Sequence, residues 1–319
     1  MLTTWLKTRI FHRLQPGERL SVEGDTILLG YVRPFFQRVA GSPAVRSRFF
    51  RRYSEGGVHV DMRFLGEPEV LEREIRPVIE ETLPAFLRQH FPPPPEQVEY
   101  PPLGEQLYHK FWGHEPLHQA YTYDITLVDD RQLLDEQLTP LQREFEDLCS
   151  MVCLDAIATF RSHHLRFQWA IVVAGMILRA TELPTPVLTL FCERMKERWM
   201  DFFEVDKEWE HIFAQRYRQV GARLRTPIFS EPDDPTVVAA FGSAGAELVG
   251  RLLRGAVAII SRFAPEERRT VNPVIAEIVG HNVFHMLHNR FNIAIQEEIF
   301  SSYLLAAILQ EQELSSVQA

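Results

Sequence analysis

Cysteine is scarce: Cys149, Cys153 and Cys192 are the only three in 319 residues. An odd count in a long chain excludes a framework of paired disulfides and suits a reducing compartment. Cys149 and Cys153 fall on one helical face, but without a second pair they make a poor zinc site and read as buried apolar thiols. Paired Cys-x-x-Cys, His-Glu-x-x-His and Gly-x-Ser-x-Gly are all missing, which lowers the odds for metalloenzymes and common hydrolases. No glycine-rich loop has nucleotide-binding spacing. Gly242, Gly245, Gly250 and Gly255 interrupt a helical pattern, as close helix packing requires. Positive charge is short, with 34 Lys+Arg against 43 Asp+Glu and a net charge of −9, which argues against a general nucleic-acid surface. Long apolar runs are missing as well. The longest, from Trp169 to Leu178, does not span a bilayer, and the N-terminus carries Lys7 and Arg9 instead of a signal-peptide core. The expectation is a cytoplasmic protein with no membrane or nucleic-acid partner.

What is present begins with enough apolar residues, 45% of the chain, for a sizeable core. Charge is uneven: residues 1–63 hold 11 Lys+Arg against 5 Asp+Glu, leaving 23 against 38 for the rest. That predicts a basic surface suited to an anionic peptide or a carboxylate. Residues 5–11 alternate as a half-buried strand does, 25–39 read as a helix that Pro34 kinks or ends, and 49–53 with 58–64 read as a hairpin around Ser54-Glu55-Gly56-Gly57. On the second hairpin strand His59, Asp61 and Arg63 share one face, while Val58, Val60, Met62 and Phe64 share the other. A helix over 68–90 stops at Phe91 and the stiff run Pro92-Pro93-Pro94-Pro95. Residues 100–123 are rich in aromatics and histidines but carry few periodic signals. Helical periodicity then covers 133–160, 167–179, 186–218, 236–263, 265–281 and 293–313, with a proline-rich break at 226–235 and His163-His164 in a solvated turn. The fold class is α+β in a single unit, with a mixed portion over 1–129 packed with a mainly helical portion over 130–319.

His285-Met286-Leu287-His288-Asn289-Arg290 sets polar residues inside a segment whose other residues are apolar at helical spacing. Imidazole and guanidinium groups there need partners or a solvated cleft, and a histidine so placed can exchange protons near neutral pH. On these residues alone, a satisfied core histidine beside a helix cap and a proton-exchanging site both stand. The aromatic cluster Tyr108, Phe111, Trp112, Tyr121 and Tyr123 reads as core or rim, and would also suit a groove for a peptide bearing planar heterocycles.

Trp5-Leu6-Lys7, the stretch from Phe49 through Arg51-Arg52-Tyr53 to Phe64, and the motif from His285 to Arg290 together resemble the landmarks of the lanthipeptide-dehydratase elimination-domain family, including its free-standing members from thiopeptide biosynthesis. The resemblance covers nearly the whole chain. It implies an α+β fold, a modified precursor peptide with its leader as substrate, other peptide-modifying enzymes as partners, and no metal or organic cofactor. One branch of the family eliminates glutamate from glutamylated Ser or Thr, leaving dehydroalanine or dehydrobutyrine. The other, the pyridine synthases, joins two dehydroalanines in a formal aza-cycloaddition and expels water and leader peptide. A strand that in elimination domains reads His-x-Arg-x-Arg here has Asp61 at the first arginine position, keeping His59 and Arg63. A second landmark, Arg-Tyr-Gly-Gly, is degenerate as Lys110-Phe111-Trp112-Gly113. A carboxylate at Asp61 repels a glutamyl leaving group, so the resemblance favours the pyridine synthase. Glutamate elimination is the alternative, and a non-catalytic scaffold that binds precursor peptide is a further one. The resemblance implies that His285 shuttles protons and that His59, Arg63 and Asp61 polarise the reacting amide. Lys110, Tyr108, Trp112, Tyr123 and Arg290 then border the substrate, and Arg51 and Arg52 belong to the arginines that attract an acidic leader.

Overall fold

Alternation over residues 5–11 produces the strand β1 (Thr4–Phe11), whose neighbours on both sides run antiparallel to it. The hairpin forms as expected, with β2 (Val45–Tyr53) and β3 (His59–Gly66), and β4 (Tyr123–Asp129) completes a sheet of order β2-β3-β1-β4. The computed structural model describes residues 3–14, 18–19, 21–43, 45–101, 105–113, 116–129, 139–206, 208–263 and 278–317. The chain divides into two units, Met1–Ala158 and Thr159–Ala319. The hairpin turn needs its glycines, since Gly56 and Gly57 have φ of +71° and +118°. Tyr108 Oη accepts the Gly56 N–H at 3.1 Å and pins that turn.

In the first unit the apolar face of β3, with Val60, Met62 and Phe64, is covered by a helical stretch made of α1 (Val22–Ile27), a π-helical turn Leu28–Val32 and α2 (Arg33–Arg38). Phe35 and Phe36 lie with ring centroids 5.5 and 5.6 Å from that of Phe64. A second stretch repeats the device: α3 (Pro68–Val70), the π-helical turn Leu71–Ile75 and α4 (Arg76–His90), which buries Ile79, Leu83 and Leu87. Each π turn ends just before an Arg-Pro pair, Arg33-Pro34 or Arg76-Pro77. A proline lacks the N–H for the helical ladder and crowds the carbonyl one turn back; widening the turn before it lets the helix continue. Pro34 therefore neither ends nor sharply breaks its helix. A short helix, α5 (Glu105–Trp112), occupies the stretch where periodicity was faint.

The helix α6 (Pro140–Thr159) guards the outer edge of β2. Asp147 Oδ1 accepts from Ser47 Oγ at 2.6 Å and from the Arg48 N–H at 2.9 Å, and Ser150 Oγ accepts the Phe50 N–H at 3.2 Å. Side chains thus satisfy backbone groups that a bare edge would offer to another chain. Because α6 packs there, the first unit reaches Ala158, well beyond residue 129. Cys149 and Cys153 are buried one helical turn apart with sulfurs at 3.9 Å.

The second unit is helical: α7 (His163–Ala180), α8 (Thr185–Phe202), α9 (Trp209–Phe229), α10 (Pro235–Ile260), a π-helical segment Ile278–Met286, α11 (Leu287–Arg290) and α12 (Ile295–Val317). The single helix expected over 186–218 is two. Glu204 turns the chain with a φ of +52°, and Asp206 Oδ1 accepts the Glu208 N–H at 2.9 Å in the turn that precedes α9. Gly245 serves close packing as expected: a Cβ there would meet Phe160 at 2.8 Å, and its carbonyl accepts Trp169 Nε1–H at 3.1 Å; Gly242 does not, since a Cβ there would meet nothing and its φ of +71° instead kinks α10. Among the described residues α10 is long and apolar enough to cross a membrane, with 44% of that stretch buried inside the protein. His163 opens α7 rather than lying in a solvated turn, and pairs with Glu297 at 3.0 Å. The expected helix over 265–281 falls largely outside the described residues, as do residues 133–138 of the helix that begins α6.

Candidate functional site

The strand β3 sits between β2 and β1, so its polar side chains project into a sheet face crowded by both neighbours. Arg63 lies opposite Lys7 and Phe49, Asp61 opposite Arg9 and Arg51, and His59 opposite Phe11 and Tyr53. Arg63 donates through Nε to Asp61 Oδ2 at 2.8 Å and places Nη2 2.7 Å from the same oxygen, with Lys7 Nζ at 3.8 Å. Burial pushes the Asp61 carboxyl up, but Arg63 and Lys7 outweigh it and hold the group below its usual range. His59 Nδ1 hydrogen-bonds the Gly57 carbonyl at 2.8 Å, and burial takes the imidazole down to about 4, against the pull of Asp61. It is therefore neutral at physiological pH. All three are closed off from solvent, His59 at 1%, Asp61 at 0% and Arg63 at 3% exposure. The polar row predicted from alternation is real, but it is an internal ion-pair cluster instead of an open face.

The expected basic surface is corrected in the same way. Arg51 is fully buried, donating to Glu146 Oε1 at 2.9 Å and to Tyr53 Oη at 3.0 Å, with its guanidinium 4.9 Å over the Phe49 ring. Arg52 is buried against Asp25, Arg33 meets Asp155 at 2.6 Å, Arg13 meets Glu99 at 2.8 Å, and Arg9 Nε donates to Asp124 at 2.9 Å. These cations neutralise carboxylates of the same unit, so Arg51 and Arg52 do not offer charge to a peptide. Tyr108 is likewise buried on the hairpin turn, which corrects its place on a groove wall. Lys110 is exposed on α5. The side chains of Phe111 and Trp112 lie outside the described part of the structure. Tyr123 is half-buried and lines, with Tyr121, Phe91, Pro92, Leu87 and Arg88, a cavity of about 580 Å³. Tyr121 stacks on Phe91 at 5.2 Å and donates its hydroxyl to Glu23 at 2.9 Å. Of the aromatics singled out, Tyr121 and Tyr123 thus share a concave apolar wall.

In the second unit His285 lies in the last turn of the π-helical segment, a geometry that recurs at functional positions because the extra residue per turn re-aims a side chain. Its side chain is 25% exposed, and Nδ1 faces the Glu298 carboxylate on α12, 3.2 Å from Oε1 and 3.1 Å from Oε2. The Trp199 indole on α8 lies 4.7 Å from the imidazole, centroid to centroid. His288 is fully buried; its Nδ1 hydrogen-bonds the Phe284 carbonyl, and burial lowers its pKa. Arg290 is fully buried at the end of α11, which suits holding the motif rather than meeting a peptide. Of the two readings open for this motif, His288 follows the core histidine and His285 the solvent-reaching one. Sequence reasoning missed Glu298 and Trp199. The acidic pair Glu297-Glu298 at the start of a helix was a visible signal, but such pairs ordinarily complement the helix dipole. Among the described residues no three His, Cys, Asp or Glu side chains gather to hold a metal ion.

The family model for the C-terminal part of the lantibiotic biosynthesis dehydratase matches residues 5–309, so the chain belongs to that family, as the sequence motifs indicated. Among solved structures it is similar to the pyridine synthase TbtD from thiomuracin biosynthesis, at 17% identity and a TM-score of 0.63, over 97% of this chain and 98% of that one. It is similar to the tRNA-dependent lantibiotic dehydratase MibB from Microbispora sp. 107891, at 18% identity and a TM-score of 0.56, over 99% of this chain but 28% of that one. TsrL is similar at 15% identity and a TM-score of 0.53, over 98% of this chain and 95% of that one. No curated protein matches the sequence. These likenesses establish the shared α+β fold.

Proposed function

We propose that this protein tailors a ribosomally made precursor peptide, joining two dehydroalanines by formal aza-cycloaddition into a pyridine ring with loss of water and leader peptide. The observation that carries the choice of reaction is the Arg63–Asp61 pair, with Nε to Oδ2 at 2.8 Å inside the sheet. A guanidinium that must grip a departing glutamyl carboxylate cannot at the same time be neutralised by a buried aspartate. Likeness to TbtD along the whole of both chains supports the same reading.

Cycloaddition asks the protein chiefly to hold two distant alkenes in register, since effective molarity supplies much of the acceleration. The amide next to one dehydroalanine, as its imidic-acid tautomer, provides the azadiene, and the second alkene closes the ring. The former amide oxygen then leaves as water and the leader leaves as its amide. Each loss takes a proton from a ring carbon and returns one to the leaving group. His285, reaching solvent beside a carboxylate, is the residue that carries those protons. Arg63, Asp61 and His59 form a closed ion-pair cluster within the sheet instead of a carboxylate clamp. The aromatic wall of Tyr121, Tyr123 and Phe91 receives flat, apolar parts of the modified peptide.

The test uses a precursor already bearing dehydroalanines and no glutamate. Pyridine absorbance appearing together with free leader peptide is the expected outcome. No reaction there, combined with release of glutamate from a glutamylated precursor, would make the protein an eliminating lyase. Tight binding of both peptides with turnover of neither would make it a scaffold.

A further inference from the structure

Glu298 is 2% exposed, and both of its carboxylate oxygens face a single ring nitrogen, His285 Nδ1, at 3.2 and 3.1 Å. A carboxylate only accepts hydrogen bonds, so contact on this scale requires a proton on Nδ1. With Nδ1 so engaged, proton exchange falls to Nε2, on the far side of a side chain that is 25% exposed. The ring cannot easily swing away, because the Trp199 indole packs 4.7 Å from it. Glu298 is itself anchored: its carbonyl accepts from Ser301 Oγ at 2.8 Å and Ser302 Oγ at 3.3 Å in the first turns of α12. Three elements therefore meet at one imidazole, the π-helical segment that supplies it, α12 that holds one edge and α8 that walls one face.

We infer that Glu298 is a positioning residue, which holds His285 in the Nδ1–H tautomer and presents Nε2 to the peptide for proton exchange. The inference rests on the reading of His285 as the proton carrier, although the tautomer itself does not depend on the reaction. A carboxylate that orients a histidine in this way sets which nitrogen is basic and stabilises the imidazolium that forms during transfer.

Long-range proton–nitrogen spectra of histidine-labelled protein, with His285 assigned from the His285→Gln spectrum, read the tautomer directly and without substrate. The expected result is a protonated Nδ1 and an unprotonated Nε2 in the neutral ring, moving toward the opposite tautomer in Glu298→Gln. An Nε2–H tautomer in the unaltered protein overturns the inference, as does a tautomer that Glu298→Gln leaves in place. Turnover of the dehydroalanine precursor is the second readout. Glu298→Gln should lower kcat at least tenfold with KM changed less than twofold, and Glu298→Asp should recover part of the loss. A fall confined to KM would overturn the positioning role. If the tautomer moves as expected but His285→Gln still turns over the precursor at full rate, the proton-carrier reading fails while the tautomer assignment stands.

Discussion

The row His59, Asp61, Arg63 in the first unit and the motif from His285 to Arg290 in the second pose the same question, ionisable groups within apolar sequence, and the fold answers it in opposite ways. In the sheet, each charge on β3 meets a charge or aromatic ring on both neighbouring strands, and α6 adds Glu146. None of the three β3 residues is more than 3% exposed. At His285, one buried carboxylate and one indole hold the ring while a quarter of it stays open. Buried ion pairs closed off from solvent are architecture; a partly open histidine oriented by a carboxylate is placed to exchange a proton.

The contrast is broken most severely by His285→Ala. It should lower product formation by about 10²–10⁴-fold, the usual range for a removed acid–base group, with peptide affinity unchanged. Full turnover in that variant would remove the functional side of the comparison. Asp61→Ala should do the reverse and strike stability first. Stranding Arg63 in the sheet costs about 3–5 kcal/mol, whereas Asp61→Ala with Arg63→Met, which removes both charges, should recover most of that loss. Urea denaturation of the two variants decides it, and equal losses would mean that the pair is not the unit of stability.

Acidity sharpens the same contrast. His12 and His59 are both taken down to about 4 by burial, so the folded state refuses protons that the unfolded chain binds near 6.5. Their contribution to stability is present above pH 6.5 and is lost as pH falls toward 4. Asp147, raised to about 7 by burial, acts in the other sense: it favours the folded state while protonated, and that advantage is lost as pH rises from 3.8 through 7. Asp147→Asn should therefore raise the unfolding midpoint at pH 8 by several degrees and change little at pH 4, as read by thermal denaturation across pH. A midpoint that moves equally at both would exclude ionisation of Asp147 as the cause. The smallest effect belongs to the rim: Arg13→Ala breaks a half-exposed pair with Glu99 and should cost under about 1 kcal/mol.

Much of this molecule was legible in sequence. The β1 strand, the hairpin with its Gly56-Gly57 turn and most of the long helices follow from alternation, turn chemistry and helical spacing, which are local properties of the chain. Three features were not. Two helices replaced one because the left-handed Glu204 and the turn at Asp206 gave no break in apolar spacing. The prolines at 34 and 77 were accommodated by π turns that no residue type announces. Arg9, Arg51 and Arg33 looked like surface because their carboxylate partners, Asp124, Glu146 and Asp155, lie far along the chain.

The sequence by itself determined which residues alternate, which turn and which carry charge, and through its motifs the family to which the chain belongs. Only the tertiary structure decided which charges are spent on one another. Pairing Arg63 with Asp61, Arg51 with Glu146 and His285 with Glu298 depends on burial and on distance through space. A carboxylate 95 residues away at Glu146 governs Arg51 more than any neighbour in the chain, because a low-dielectric interior strengthens the nearest opposite charge and penalises every unmatched one.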